Sequence, residues 1–162
     1  MYREWLKQCY HLATNSPDRS NQNGAILLSD GIDIGRGFNH FPNAVQVTEE
    51  LLNNREEKLF YIEHAERDAI YNSIRTGSIK PFNMTMVCPW AACCDCARAI
   101  IGCRIKKLVV HKQRMEMTPD RWKANVDKAL KLLDTCGVEV IYFDQVIADC
   151  SKIIVNGELW QP

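Results

Sequence analysis

The chain has 162 residues, 46% hydrophobic and 25% charged, a composition that supports one domain spanning residues 1–162 with its own core and excludes wholesale disorder. Twenty Lys and Arg balance twenty Asp and Glu, which argues against a partner made of nucleic-acid polymer, since the basic face such a partner needs would tilt the count. No apolar run approaches the ~18 residues of a membrane span, and Met1–Thr14 carries Arg3, Glu4 and Lys7 without an apolar signal core, so a soluble cytoplasmic protein with no membrane partner is expected.

Tyr2–Ala13 places Trp5, Leu6, Cys9 and Leu12 at helical spacing, and Asn15-Ser16-Pro17-Asp18 ends that helix. Ala25–Leu28 and Ile32–Phe38 flank Ser29-Asp30-Gly31 and predict a hairpin, followed by a turn over Asn39–Pro42. Ala44–Lys58 is charged and ambiguous, with a helix around Glu49–Asn53 and loop after it. From Ile62 the pattern alternates. A helix is expected over Ala65–Ser73, a buried strand over Met84–Cys88, a helix over Cys93–Cys103 and a strand over Lys107–His111. A helix then starts at Pro119 with Trp122, Val126, Ala129, Leu132 and Leu133 on its apolar face, and a strand covers Val138–Phe143. Asn156-Gly157 marks a short hairpin in Ile153–Trp160. An opening hairpin followed by helix–strand alternation predicts an α/β three-layer sandwich, a central mixed sheet of roughly five strands flanked by helices.

Eight cysteines are many for a chain without an export signal, and 162 residues do not need disulfide staples to fold. Cys93, Cys94 and Cys96 crowd into four positions, with Cys88 and Cys103 near by, a clustering typical of metal ligands or redox thiols. Cys9, Cys136 and Cys150 stand alone and read as small apolar side chains. In Cys93-Cys94-Asp95-Cys96 at a helix start, Cys93 and Cys96 share one face, and the helix dipole favours their thiolates. His64, at the start of the preceding helix, can supply a third ligand through a neutral ring nitrogen. Three protein ligands leave the fourth tetrahedral position to water, the arrangement of a catalytic zinc.

Two thiolates and a neutral imidazole bring Zn²⁺ to a first-shell charge of about zero, so its water is less acidified than at an all-histidine site and a nearby base should help. Glu66 is that base. Positions i and i+2 point roughly 200° apart along a helix, but in the first turn both His64 and Glu66 can reach the space beyond the helix end. Alternatives remain open on the residues alone: a structural Cys₃His site using Cys94 or Cys88 as fourth ligand, or a redox Cys-x-x-Cys pair, in which Glu66 is an ordinary helix carboxylate.

With residues 67–92 between the two motifs, His64-Ala65-Glu66 and Cys93-x-x-Cys96 resemble the cytidine/deoxycytidylate deaminase superfamily, whose signature is His-x-Glu followed by Pro-Cys-x-x-Cys. The deoxycytidylate branch is the nearer. Ser16-Pro17-Asp18 with Gln22-Asn23-Gly24-Ala25 resembles its first loop and strand, Gly37–Pro42 its Gly-Tyr-Asn-Gly-x-Pro turn, and Glu63–Ile70 and Cys96–Ile101 its two helix starts. Trp122, Ala129, Leu133 and Gly137-Val138 resemble its last helix and strand. Three departures stand out. Ala92 replaces the proline before the first metal cysteine, Cys94 competes with Cys93 for the ligand register, and Phe38 replaces a tyrosine. Cys93 keeps Cys-x-x-Cys in register with Cys96-Ala97-Arg98.

The resemblance implies hydrolytic deamination of deoxycytidylate (dCMP) to deoxyuridylate (dUMP) with release of ammonia, using a zinc-activated water and Glu66 as proton shuttle. It implies Zn²⁺ held by His64, Cys93 and Cys96, and substrate contacts from Asn39, Ala65, Phe38, Ser16 and Arg19. It also implies a homo-oligomer, with dCTP and dTTP as effectors. Cytidine or CMP, an antibiotic nucleoside and a tRNA base are the alternative substrates. On the residues alone, Asn39 is also a suitable turn amide, and Trp90 either walls a pocket or fills core. Two clusters offer phosphate contacts: Arg19 with Ser16 and Ser20, and the basic stretch of Lys106, Lys107, His111, Lys112 and Arg114, which also reads as a solvated strand end.

Overall fold

The structure, a computed structural model, describes residues 1–78 and 82–162. Helix α1 (Tyr2–Ala13) leads into the hairpin β1 (Gly24–Ser29) and β2 (Ile32–Phe38). Three helices follow, α2 (Glu49–Asn53), α3 (Arg55–Tyr61) and α4 (Ala65–Arg75). Next come β3 (Met84–Val87), α5 (Cys94–Gly102), β4 (Lys107–His111), α6 (Lys112–Glu116), α7 (Asp120–Thr135) and β5 (Glu139–Phe143). The hairpin β6 (Ile153–Val155) and β7 (Glu158–Trp160) ends the chain.

The main sheet runs β2-β1-β3-β4-β5. β1 is antiparallel to both neighbours, while β3, β4 and β5 are parallel. The parallel pairs need crossovers, supplied by α5 and by α6–α7. The result is the expected α/β three-layer sandwich around a mixed five-stranded sheet. Asp30-Gly31 and Asn156-Gly157 turn the two hairpins with both residues at positive φ (49° and 79°, 54° and 86°), the geometry that matches strand twist in two-residue turns.

Alternation along the strands divides the core. Ala25 and Leu27 of β1, Met86 of β3, and Leu108 and Val110 of β4 pack with α4, α5 and α7 on one face. Ile26 and Leu28, Val87 and Val109 pack on the other face with α1 and β6. That is why β1 is buried along its whole length, and each such aliphatic side chain contributes about 1.5–3 kcal/mol through burial. Helix α4 lies directly on β2. A Cβ on Gly37 would fall 2.4 Å from both the Ala65 carbonyl oxygen and the Ala69 nitrogen, and one on Gly35 would fall 2.3 Å from the Ala69 oxygen. Two glycines in β2 therefore set how closely the helix carrying Glu66 approaches the sheet.

Two segments differ from the sequence expectation. The stretch after Asn53, expected as loop, folds as α3. Asn54 Oδ1 accepts the Glu57 N–H at 3.2 Å, so Asn54-x-x-Glu57 is an N-terminal helix signal. Apolar periodicity missed it because only Lys58 of α3 is buried. The basic stretch expected as a solvated strand end is one at Lys106 and Lys107, which are exposed at the start of β4, whereas His111 is buried and Lys112 and Arg114 belong to helix α6, with Arg114 fully buried.

Candidate metal centre and its cavity

His64 is the N-cap of α4 and Cys93 the N-cap of α5, both in extended conformation. This places Glu66 and Cys96 in the first turns of helices that pack on the same face of the sheet. Glu63 Oε1 accepts the His64 N–H at 2.7 Å and the Arg67 Nε–H at 2.6 Å, fixing the entry to α4. Where the family places a proline, Ala92 is buried, and Asn125 of α7 restrains the turn by accepting the Cys94 N–H through Oδ1 at 2.9 Å.

His64 Nδ1 lies 3.4 Å from Cys93 Sγ and 3.6 Å from Cys96 Sγ, and the three atoms lie within 4.8 Å of one another. Zinc–nitrogen and zinc–sulfur bond lengths at a tetrahedral angle give a nitrogen–sulfur edge of about 3.6 Å. The donor set and its spacing therefore fit zinc. Among the described residues this is the group that could hold a metal. Cys94 is engaged elsewhere, its Sγ donating to the Asn125 carbonyl at 3.4 Å. Cys88 donates to the Trp90 carbonyl at 3.1 Å and accepts from Asn23 Nδ2 at 3.2 Å.

Electrostatics couple the cluster. The Cys96 hydrogen bond, helped by His64 and opposed by burial, pulls the Cys93 thiol down to about 3. That same hydrogen bond, with burial, pushes Cys96 up. Burial opposes a charged His64, but the hydrogen bond and charge of Cys93 outweigh it and its pKa rises. Glu66 is 2% exposed, and burial pushes its carboxyl upward. Arg67 brings Nη1 to 3.7 Å from Cys96 Sγ, a cation beside one sulfur of the cluster.

His64, Glu66 and Cys93 line one open cavity beside the first turns of α4 and α5. One wall is amide-rich, with Asn21, Asn23 and Asn39 beside Asp18 and Ser20. Another is aromatic, with Trp90 and Trp122 edge to face at 6.1 Å and Trp122 packed on His64 at 6.2 Å. Arg55, Lys58 and Arg121 complete the lining. Lys58 Nζ donates to Asp18 Oδ1 at 2.7 Å and to Ser20 Oγ at 3.2 Å.

Of the residues singled out from sequence, His64, Glu66, Cys93, Ala65, Asn39 and Trp90 converge on this cavity, with Cys96 behind Cys93 in the thiol cluster. The Asn39 amide is used internally. Its Oδ1 accepts from Asn23 N at 2.7 Å, and its Nδ2 donates to the Asn21 carbonyl at 2.9 Å. Ser16, Arg19 and Phe38 are not among the lining residues. Ser16 Oγ accepts from Asp18 N, Arg19 makes a two-pronged ion pair with Glu49, and the Phe38 ring packs on His40. Lys112 is paired with Asp144 and Lys107 with Glu139. Arg114 lies over the ring of Trp90 at 4.2 Å and donates to Asn21 Oδ1 at 2.9 Å. Sequence reasoning missed Arg55, Lys58 and Arg121. The spacing Arg55, Lys58, Leu59, Ile62 was the available signal, one helical face in a segment expected as loop.

No helix among the described residues is long and apolar enough to cross a membrane. The fold is shared with the dCMP deaminase of cyanophage S-TIM5, at a TM-score of 0.67 and 19% identity over 88% of this chain and 96% of that one. It is also shared with Acinetobacter baumannii RibD, at a TM-score of 0.59 and 23% identity over 87% of this chain and 34% of that one. An uncharacterized deaminase from the luxG 3′ region of Aliivibrio fischeri is 27% identical over 147 residues, 88% of this chain and 95% of the relative. Residues 1–112 match the cytidine and deoxycytidylate deaminase zinc-binding region, a span that holds the whole His64–Cys93–Cys96 cluster together with Glu66, and the chain belongs to that family of deaminases.

Proposed function

We propose that residues 1–162 form a single zinc-dependent deaminase domain that converts dCMP to dUMP and ammonia. The observation that carries this reading is the meeting of the His64–Cys93–Cys96 cluster and the buried carboxylate of Glu66 at one cavity. The cyanophage relative of the same fold has been crystallised with dCMP and dUMP, which favours this substrate over the other cytidine derivatives.

His64, Cys93 and Cys96 hold the metal. Zinc bound there would lower the pKa of a water so that it attacks at neutral pH. Glu66 takes a proton from the attacking water and delivers it to ring N3 as the new C4–O bond forms. It then takes the second proton from the new C4 hydroxyl and passes it to the exocyclic nitrogen, so that the C4 carbonyl forms as the C4–N bond breaks and ammonia leaves. Trp122 and Trp90 supply flat apolar surfaces for the base, and the cavity keeps bulk water from Glu66. Asn39 holds the wall that faces the sugar.

Zinc content and ammonia release test the proposal together. The expected result is one zinc per chain and turnover of dCMP faster than of deoxycytidine, CMP or cytidine. A protein that binds zinc yet releases ammonia from none of these would reject the substrate class, and one that turns over dCMP without metal would reject the chemistry.

A further inference from the structure

We propose that Arg55 of α3 and Arg121 of α7 are specificity-determining residues that grip the phosphate of a nucleoside monophosphate in the cavity. This assignment rests on the reading of that cavity as a nucleotide site and names the groups that would make it one. Around the cavity the cations divide into those already satisfied and those that are not. Arg19 and Lys112 are held at the surface by Glu49 and Asp144, and Lys58 is closed by Asp18 and Ser20. Arg114 is buried behind Trp90 and Asn21. Arg55 and Arg121 line the cavity, are exposed, and make neither an ion pair nor a side-chain hydrogen bond among the described residues.

Their placement follows from the helices. Arg55 shares one face of α3 with Lys58 and Leu59, and Ile62 follows as the helix C-cap, all four lining the cavity. Arg121 sits in the first turn of the sixteen-residue α7, where unpaired N–H groups and the helix dipole add positive potential. Trp122, the next residue, packs on His64, so the chain passes from a cation to the aromatic wall of the metal cluster within two residues. Three cations, Arg55, Lys58 and Arg121, line the cavity against two carboxylates, Asp18 and Glu66. Arg114 adds a buried charge behind the wall, with Nε and Nη1 unpartnered. The chain as a whole is electroneutral, so this excess is local. A phosphate dianion accepts from guanidinium in paired, charge-assisted hydrogen bonds. The even balance of acidic and basic residues over the chain favours a single phosphomonoester over a nucleic-acid strand.

The test is calorimetric titration of the full-length, zinc-loaded protein with dUMP, deoxyuridine and a dU8 oligonucleotide, in wild type, Arg55→Gln, Arg121→Gln and the double variant. Wild type is expected to bind dUMP at least tenfold more tightly than deoxyuridine. Each single variant is expected to lose roughly tenfold or more for dUMP, the usual worth of a hydrogen bond to a charged group, with deoxyuridine affinity unchanged. The double variant should no longer distinguish the two. Unchanged deoxyuridine binding also reports that the variants fold. Variants that bind dUMP like wild type, or a wild type that binds the two ligands equally or binds neither, would overturn the assignment. So would tighter binding of dU8 than of dUMP. Arginine-dependent binding of dUMP without ammonia release from dCMP would reject the proposed reaction and leave the phosphate grip standing.

Discussion

Asn125 accepts the backbone N–H of Cys94 through its side-chain oxygen at 2.9 Å, and in doing so caps a helix from outside. The N-cap residue of α5, Cys93, makes no side-chain cap of its own, because its sulfur faces His64 instead. One α7 side chain thus satisfies the N1 N–H of α5, one of the donors a helix start leaves free, while the N-cap sulfur stays with the His64 cluster. Asn125→Ala is expected to cost about 0.5–2 kcal/mol of stability, the worth of an N-cap, and to weaken zinc binding. Chemical denaturation and competition with a chromogenic chelator measure the two effects separately.

Gly37 is expected to tolerate no side chain. In Gly37→Ala the new methyl would meet backbone atoms of Ala65 and Ala69 at 2.4 Å, so α4 must shift away from β2 and carry His64 and Glu66 with it. The expected loss is about 1–3 kcal/mol, as for other overpacked sites, with zinc affinity reduced. Gly102→Ala is the control. A Cβ there meets nothing within 4 Å, and the same thermal melts should show it unharmed.

Glu66→Gln preserves shape and removes the base. Zinc content and melting behaviour should stay close to wild type, while ammonia release from dCMP falls by at least ~10²–10⁴-fold, the usual worth of a general acid–base group. Retained turnover would assign the proton transfers to another group.

His111 gives stability a pH dependence independent of the metal cluster. Its Nε2–H donates to the Gln145 carbonyl at 3.0 Å, which leaves Nδ1 to accept from the Tyr10 hydroxyl at 2.6 Å. Burial lowers its pKa against the opposing pull of Gln145, Asp144 and Gln113. A lowered folded-state value means the unfolded chain protonates first. The stabilisation is therefore complete above the ordinary imidazole range near 6.5 and is lost progressively as pH falls towards the folded-state value. Urea unfolding between about pH 7.5 and 5 should show a smaller acid loss in His111→Gln than in wild type, metal content being matched.

The sheet, its flanking helices and the metal cluster were legible in the sequence because each follows a local rule. Buried strands are short apolar runs, α7 repeats its apolar residues at helical spacing, and His-x-Glu and Cys-x-x-Cys fall at helix starts. The Cys94 question was legible too, through register with Cys96. The phosphate side was not. Arg19 and Lys112 stand near promising motifs, and only tertiary structure reveals that Glu49 and Asp144 engage them. Arg114 reads as a surface charge, yet Trp90 and Asn21 hold it inside, where burial brings its pKa down to about 10 and leaves it charged. Side-chain partners 24 to 93 positions apart leave no trace in local spacing.

Helix α3 is joined to the body of the protein through a single buried side chain, Lys58, and that side chain is polar. Detaching seven residues of this kind exposes little apolar surface, so the opening costs far less than unfolding the sheet. Amide hydrogens of Arg55–Tyr61 should therefore exchange through local opening, whereas those of β1 and β4 exchange only when the whole molecule unfolds. Arg55, Lys58 and Leu59 would leave the cavity with the helix. The cavity thus has two lifetimes, a long one at the metal floor set by β-sheet burial and a short one at the α3 wall set by one ion pair.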